Sequence, residues 1–184
     1  MKQILFRASN GTESQGKISI MESELRLHRC CFTGHRPEKL NRSEAEVKML
    51  LNAAIRQAIA DGFVTFITGM ARGVDIWAGQ IILELKKEYP ALKLVAASPY
   101  KGFEERWSAS WQEQYNSLLE KADAVRYTNS AYSIGAFQAR NEWMVDRSTR
   151  VIAAYTGNPG GTRNTILYAE RKGVPVMNVL DGQI

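Results

Sequence analysis

Residues 63–85, FVTFITGMARGVDIWAGQIILEL, determine the fold class of this chain. Phe63–Ile67 is a short run rich in aromatic and β-branched residues, which is typical of a strand buried on both faces of a parallel sheet. Thr68-Gly69 then leads into a segment whose apolar residues recur at helical spacing from Val74 to Leu85. A buried strand followed directly by a helix is the repeating unit of α/β folds.

The same alternation of strand and helix continues along the chain from Arg29 onward. Short apolar runs predict six strands, at Cys30–Thr33, Phe63–Ile67, Leu92–Ala97, Ala124–Tyr127, Val151–Tyr155 and Val174–Leu180. Five helices are predicted between them, from Ser43 to Asp61, from Val74 to before Pro90, through Phe103–Leu119, near residues 136–147, and after Gly160-Gly161. The strands are apolar throughout, so the sequence predicts an α/β fold with a Rossmann-like, doubly wound, mainly parallel six-stranded sheet flanked by helices.

Residues 1–28 lack this regularity. Asn10-Gly11 and Gly16 interrupt any period, Lys17–Ile20 has the pattern of a lone edge strand, and Met21 offers an alternative start. We therefore predict a mobile N-terminal extension at residues 1–28 and one Rossmann-type nucleotide-binding domain at residues 29–184.

Composition excludes several classes of protein. Hydrophobic residues make up 45% of the chain, which excludes disorder throughout, yet no apolar run approaches the length of a membrane span or a signal peptide. We therefore predict a cytoplasmic protein without a membrane partner.

Cys30 and Cys31 are predicted to be buried thiols, and with only two histidines no metal site is expected. The pI near 9.3 is compatible with anionic ligands, although the basic residues are scattered.

Candidate ligand-binding residues cluster after the predicted strands. In a doubly wound sheet, ligands bind beyond the carboxyl ends of the strands, and glycines there let backbone N–H groups approach a phosphate at a helix N-terminus. No loop has the complete P-loop or dinucleotide-binding pattern. The candidates are Gly34, His35 and Arg36 after the first strand, Gly69, Arg72, Gly73 and Asp75 after the second, Tyr100 after the third, and Gly160, Gly161 and Thr162 after the fifth.

The side chains in these loops have alternative roles. Arg36 and Arg72 can each clamp phosphate oxygens or pair with a surface carboxylate. Asp75 can accept from a ribose hydroxyl or stabilise the helix N-terminus. Tyr100 can stack on a base, and His35 is a candidate acid or base without a visible partner.

A further set lies in the helix near residues 136–147. Arg140, Asn141 and Asp146 flank the apolar run Trp143–Val145. They can close one wall of a pocket formed by the glycine loops, while an ion pair of Arg140 with Glu142 or Asp146 is the structural alternative.

Four segments in this order resemble a known family: Thr33–Pro37, Gly69–Ala78, Arg140–Asp146 and Gly160–Thr162. Together they are similar to the YpsA-like proteins of largely unknown function, within the SLOG superfamily of Rossmann-like domains, over about residues 29–180. The resemblance implies that a nucleotide or nucleotide derivative, such as a relative of ADP-ribose or NAD, is bound by a sensor or regulatory protein that requires no cofactor.

The superfamily implies two alternative functions. Residues 69–75 resemble the glycine-containing loop of the DprA/Smf single-stranded DNA-binding proteins, which keeps nucleic acid as an alternative partner. Residues 159–162 resemble the glycine loop of phosphoribohydrolases, which cleave N-glycosidic bonds. The glutamate that those enzymes need is missing, because the loop is followed by Arg163-Asn164-Thr165. Asp75 and Asp146 are therefore the candidate catalytic residues if the protein is an enzyme, and its oligomeric state, a homo-oligomer included, stays open.

Overall fold

The computed structural model describes the backbone of residues 12–181 and the side chains of residues 20–181. Within this range six strands form one sheet: β1 (Arg29–Gly34), β2 (Thr65–Thr68), β3 (Lys93–Ser98), β4 (Ala124–Tyr127), β5 (Arg150–Ala154) and β6 (Val176–Asn178). Their order is β4-β3-β2-β1-β5-β6, and every neighbouring pair is parallel. The predicted Rossmann-like sheet is confirmed.

Six α-helices accompany the strands in the described residues: α1 (Thr12–Leu27), α2 (Glu44–Ala60), α3 (Val74–Leu85), α4 (Ala109–Lys121), α5 (Ala136–Asp146) and α6 (Gly161–Arg171). A short 3₁₀ turn occupies Pro37–Lys39. The helix α2 begins at a capping box, in which the hydroxyl of Ser43 accepts from the N–H of Glu46 and the Glu46 carboxylate accepts from the N–H of Ser43.

Two predicted elements differ from the structure, an edge strand and the start of a helix. Lys17–Ile20 lies inside α1 and is not a strand. None of the α1 residues whose side chains the structure describes, 20–27, is buried, so this part of the helix has no buried apolar stripe to mark it in the sequence. Residues 1–11 of the predicted mobile extension lie outside the described residues. Phe103 and Trp107 precede α4 in a series of turns, since the helix begins only after the extended Ser108.

Apolar side chains fill both faces of the sheet. Trp77, Phe66 and Tyr115 are fully buried in the larger cluster, which includes α2 and α3, while Val145 and Ala169 bring α5 and α6 onto the opposite face. Both cysteines are buried, as predicted. In the part of the chain that the structure describes, no helix is both long and apolar enough to cross a membrane.

The direction of winding reverses at β1. The chain builds outward from β1 to β4 on one side and then crosses to β5 and β6 on the other. Such a reversal leaves a crevice at the carboxyl ends of the two central strands, here β1 and β5. The loops after these two strands therefore open toward a common space.

Candidate functional site

A cavity of about 360 Å³ lies at the carboxyl ends of β1 and β5. Its volume is in the range of small-molecule sites. It is enclosed by the loop after β1, the first turn of α3, one side of α5 and the N-terminus of α6. Nine of the predicted site residues line it: Gly34, His35, Arg36, Asp75, Arg140, Asn141, Gly160, Gly161 and Thr162.

The structure places the other predicted residues outside the cavity lining. Arg72 donates to the carboxylate of Glu38 at 3.2 Å, which is the surface-pairing role considered for it. Asp146 accepts from the Tyr168 hydroxyl at 2.9 Å, on the side of α5 that faces α6. Tyr100 lies in an aromatic cluster next to the cavity.

Three of the predicted glycines allow elements to approach closely. A Cβ at Gly34 would collide with the side chain of Val74, so this glycine brings α3 against β1. A Cβ at Gly69 would collide with the guanidinium of Arg140. Gly73 has φ +86°, and a Cβ there would lie 2.8 Å from the Pro37 ring. Close packing, together with the positive φ at Gly73, accounts for glycine at these positions.

The glycines at the N-terminus of α6, Gly160 and Gly161, are different, because a Cβ at either position would meet no atom closer than 3.9 Å. Gly160 has φ +146° and ψ −168°, a conformation available essentially to glycine alone. Gly161 has no such constraint, and the nearest atom to a Cβ there would be Asn141 Nδ2 at 3.9 Å. The first hydrogen bond of the helix runs from the N–H of Asn164 to the carbonyl of Gly160. The N–H groups of residues 161–163 therefore have no acceptor within the helix. This helix N-terminus is suited to hold an anion in the cavity.

Arg140 and Asp75 form a buried ion pair at the floor of the cavity. Arg140 Nη1 lies 3.4 Å from Asp75 Oδ2 and also donates to the carbonyl of Gly69. The same carboxylate oxygen accepts from the N–H of Ala71 at 3.2 Å. Burial raises the pKa of Asp75, and the nearby guanidinium, which stays charged in proteins, opposes that rise. Arg140 Nε is buried without a hydrogen-bond partner among the described residues.

His35 presents a second unpaired nitrogen. Its side chain lines the cavity and the residue is only 4% exposed, yet Nε2 has no partner within residues 20–181. The ring lies against Tyr155, with centroids 5.3 Å apart. Burial, with a smaller contribution from the charge of Lys39, lowers the pKa of His35. Buried polar atoms are nearly always hydrogen-bonded, to protein, to water or to a ligand.

The charge and shape of the cavity favour an anion that carries an aromatic ring. Arg36, Lys39 and Arg140 line it against the single carboxylate of Asp75. Phe103 and Phe137 also line the cavity and form an apolar wall, with ring centroids 5.5 Å apart. Sequence reasoning missed Lys39, Phe103, Phe137 and Met144 as lining residues. Lys39 lies two residues after the motif Thr33–Pro37, and Phe137 lies three residues before the motif Arg140–Asp146. This proximity was the only feature of the sequence that could have indicated their place in the site.

Comparison with known proteins agrees with this architecture. The YpsA family model, described as the YspA SLOG family, matches residues 30–173. This chain belongs to that family. The uncharacterized SPbeta prophage-derived protein YoqJ of Bacillus subtilis is 34% identical over 144 residues, which cover 71% of this chain and 84% of YoqJ. A UPF0398 protein of Bacillus pumilus is 29% identical over 138 residues, covering 71% and 74% of the two chains. The predicted family resemblance is confirmed.

Two solved structures share the fold. DNA processing protein A from Helicobacter pylori, described for its single-stranded DNA binding mode, superposes with a TM-score of 0.59 at 20% identity and covers 85% of this chain. The Streptococcus pneumoniae protein DprA superposes with a TM-score of 0.57 at 16% identity over 86% of this chain. This chain spans 66% and 53% of those two chains. At these identities the likeness shows the fold alone.

Proposed function

We propose that this YpsA-family protein binds a nucleotide or nucleotide derivative of the ADP-ribose or NAD type in the cavity at β1 and β5. One observation carries the proposal: the N-terminus of α6 and the cationic side chain of Arg36 line the same cavity. A helix N-terminus attracts phosphate, and an arginine at the same cavity adds charge-assisted hydrogen bonds. A phosphate-bearing ligand uses both.

The parts of such a ligand have separate places in the cavity. The phosphates contact the N–H groups of Gly161 and Thr162, with Arg36 at the exposed rim adding charge-assisted hydrogen bonds. The base lies against Phe103 and Phe137, because aromatic rings stack on one another.

A regulatory or sensing role fits the carboxylates better than hydrolysis. Asp75 is the only carboxylate among the lining residues, and its Oδ2 already contacts Arg140 and the N–H of Ala71. Asp146 lies away from the cavity, beside Tyr168. Glycosidic cleavage commonly uses two carboxylates that flank the bond, and the lining offers one. Binding without turnover is therefore the proposed activity.

Single-stranded DNA binding is the second candidate function. It is favoured by the fold shared with DNA processing protein A and by the pI of 9.3. A DNA ligand would place a backbone phosphate where the nucleotide phosphate is proposed to lie. Its affinity would fall steeply with salt concentration, because each neutralised phosphate releases counterions.

Melting temperatures measured with AMP, ADP, ADP-ribose, NAD and a short oligodeoxynucleotide separate these candidates. A ligand at one hundred times its Kd stabilises the folded state by about 2.7 kcal/mol, so a clear upward shift is expected with ADP-ribose or NAD. Chromatography of the same samples should recover both compounds intact. Cleaved products would instead favour the hydrolase. A shift with the oligonucleotide alone would favour DNA binding, and no shift with any compound would contradict all three.

A further inference from the structure

The aromatic wall of the cavity continues to the protein surface. Phe137 lines the cavity, and its ring centroid lies 6.3 Å from that of Tyr132 and 6.2 Å from that of Tyr100. Tyr100 and Tyr132 contact each other edge to face, with centroids 5.8 Å apart. Three adjoining rings therefore lead from the interior of the cavity to its outside.

The outer members of this series are unusually accessible. Tyr132 is 64% exposed, and Ile134, two residues further along the same loop, is 95% exposed. Scattered apolar side chains at a surface need no explanation, but apolar side chains that adjoin a ligand cavity mark an extension of the site. Phe137 lines the cavity and also contacts Tyr100 and Tyr132. The exposed aromatic surface is therefore continuous with the cavity.

The loop that carries Tyr132 is tied at both ends. The Asn129 side-chain amide donates to the carbonyl of Pro99 at 3.1 Å and to that of Ala136 at 3.2 Å. The N–H of Asn129 also donates to Pro99. These bonds join the end of β4 to the first residue of α5 and to the loop after β3. The loop that carries Tyr132 is therefore held at both ends. This restraint reduces the conformational entropy that the loop loses when a ligand ring stacks on Tyr132.

We propose that Tyr132 and the outer face of Phe137 form a second stacking site, which takes a second aromatic ring joined through phosphate to the nucleotide in the cavity. The inference rests on the proposed function and narrows the ligand to compounds with two rings. Two sources supply this chemistry, a dinucleotide such as NAD and the 5′ end of an oligonucleotide. In both, the phosphates at α6 connect one ring inside the cavity to another outside it.

Titration calorimetry with two matched pairs of probes tests the proposal on the full chain. ADP-ribose and NAD differ by the nicotinamide ring, and AMP differs from 5′-phosphorylated diadenylate by the second nucleotide. Stacking of a base on an aromatic side chain corresponds to roughly a fivefold to hundredfold change in affinity. The wild-type protein should bind at least one two-ring probe more tightly than its one-ring partner by this factor. The pair that shows the gain identifies the source.

The variant Tyr132→Ala should lose the gain and leave affinity for the one-ring probe unchanged, while Tyr132→Phe should retain it. Both should keep the wild-type melting temperature, because the side chain is exposed. Equal affinities for one-ring and two-ring probes would overturn this inference and leave the proposed function intact. Equal losses for both probes in Tyr132→Ala would also overturn it. If neither pair binds to the wild-type protein, the proposed function fails and the second stacking site fails with it.

Discussion

Arg140 of α5 and Asp75 of α3 form an ion pair that joins the two faces of the sheet above the carboxyl end of β2. The joined atoms, Nη1 and Oδ2, lie 3.4 Å apart, and both side chains are more than nine-tenths buried. Gly69 makes the pair possible, since any side chain at that position would displace the guanidinium. The pair fixes the position of the helix that supplies Asn141, Phe137 and the cavity wall.

Breaking this pair should destabilise the protein strongly. Asp75→Asn keeps the shape of the side chain but leaves the buried guanidinium uncompensated, a loss that costs about 3–5 kcal/mol. The free energy of unfolding from urea titration measures it. Asp146→Asn is the matched control on the half-exposed side of α5 and should change stability by less than about 0.5 kcal/mol. An Asp75→Asn protein as stable as the control would show that the pair contributes little.

Gly160 and Gly161, at the N-terminus of α6, should respond differently to substitution by alanine. Gly160→Ala forces a side chain into φ +146° and should cost about 1–3 kcal/mol of unfolding free energy. Gly161→Ala meets no nearby backbone, so its melting temperature should stay at the wild-type value while affinity for ADP-ribose falls about tenfold or more. The added methyl group would occupy the approach of the phosphate. A Gly161→Ala protein with unchanged affinity would place the phosphate elsewhere.

Arg36 and Arg72 form a matched pair of surface arginines on the same edge of the sheet. Arg36 lines the cavity, whereas Arg72 pairs with Glu38 outside it. Arg36→Ala should remove a charge-assisted hydrogen bond of about 1.5–3 kcal/mol, which corresponds to a tenfold to hundredfold weaker Kd for ADP-ribose. Arg72→Ala should bind normally in the same calorimetric titration. Equal effects of the two substitutions would indicate a general charge effect instead of a contact.

Acid should weaken the fold partly through His35. Burial lowers the pKa of His35 below its usual 6.5, so between these two values the unfolded chain binds more protons than the folded protein. The free energy of unfolding should therefore fall as the pH drops below about 6.5, by less than about 1.4 kcal/mol per unit. Urea unfolding at several pH values should show a smaller fall in His35→Gln. A pH dependence in His35→Gln equal to that of the wild-type protein would contradict a contribution from His35.

The sequence predicted the sheet because its strands are buried on both faces and therefore read as unbroken apolar runs. Cys30–Thr33 and Ala124–Tyr127 were located in this way within one residue of each end. The helix α1 was missed, since none of its described side chains, at residues 20–27, is buried. The helix through Phe103 was predicted too long, because turns can carry apolar residues at helical spacing.

The candidate site was only partly predictable. Glycines and charged residues after strands pointed to the correct edge of the sheet, since topology places those loops together. The sequence could not distinguish Arg36, at the cavity, from Arg72, which turns toward Glu38. It also could not show that Phe137 forms a wall, because the direction of that ring depends on how α5 packs. The sequence also could not show which of the two adjacent glycines has a positive φ, and in the structure it is Gly160.

A titration of the ¹⁵N-labelled protein with ADP-ribose, followed in amide correlation spectra, locates the nucleotide site on the chain. We expect the largest chemical-shift changes at the N–H groups of His35, Gly161 and Thr162. The groove between α2 and α3, around Asn52 and Ile81, should remain unchanged and serves as an internal control. Shift changes confined to that groove, or none at saturating ADP-ribose, would contradict a nucleotide site at the carboxyl ends of β1 and β5.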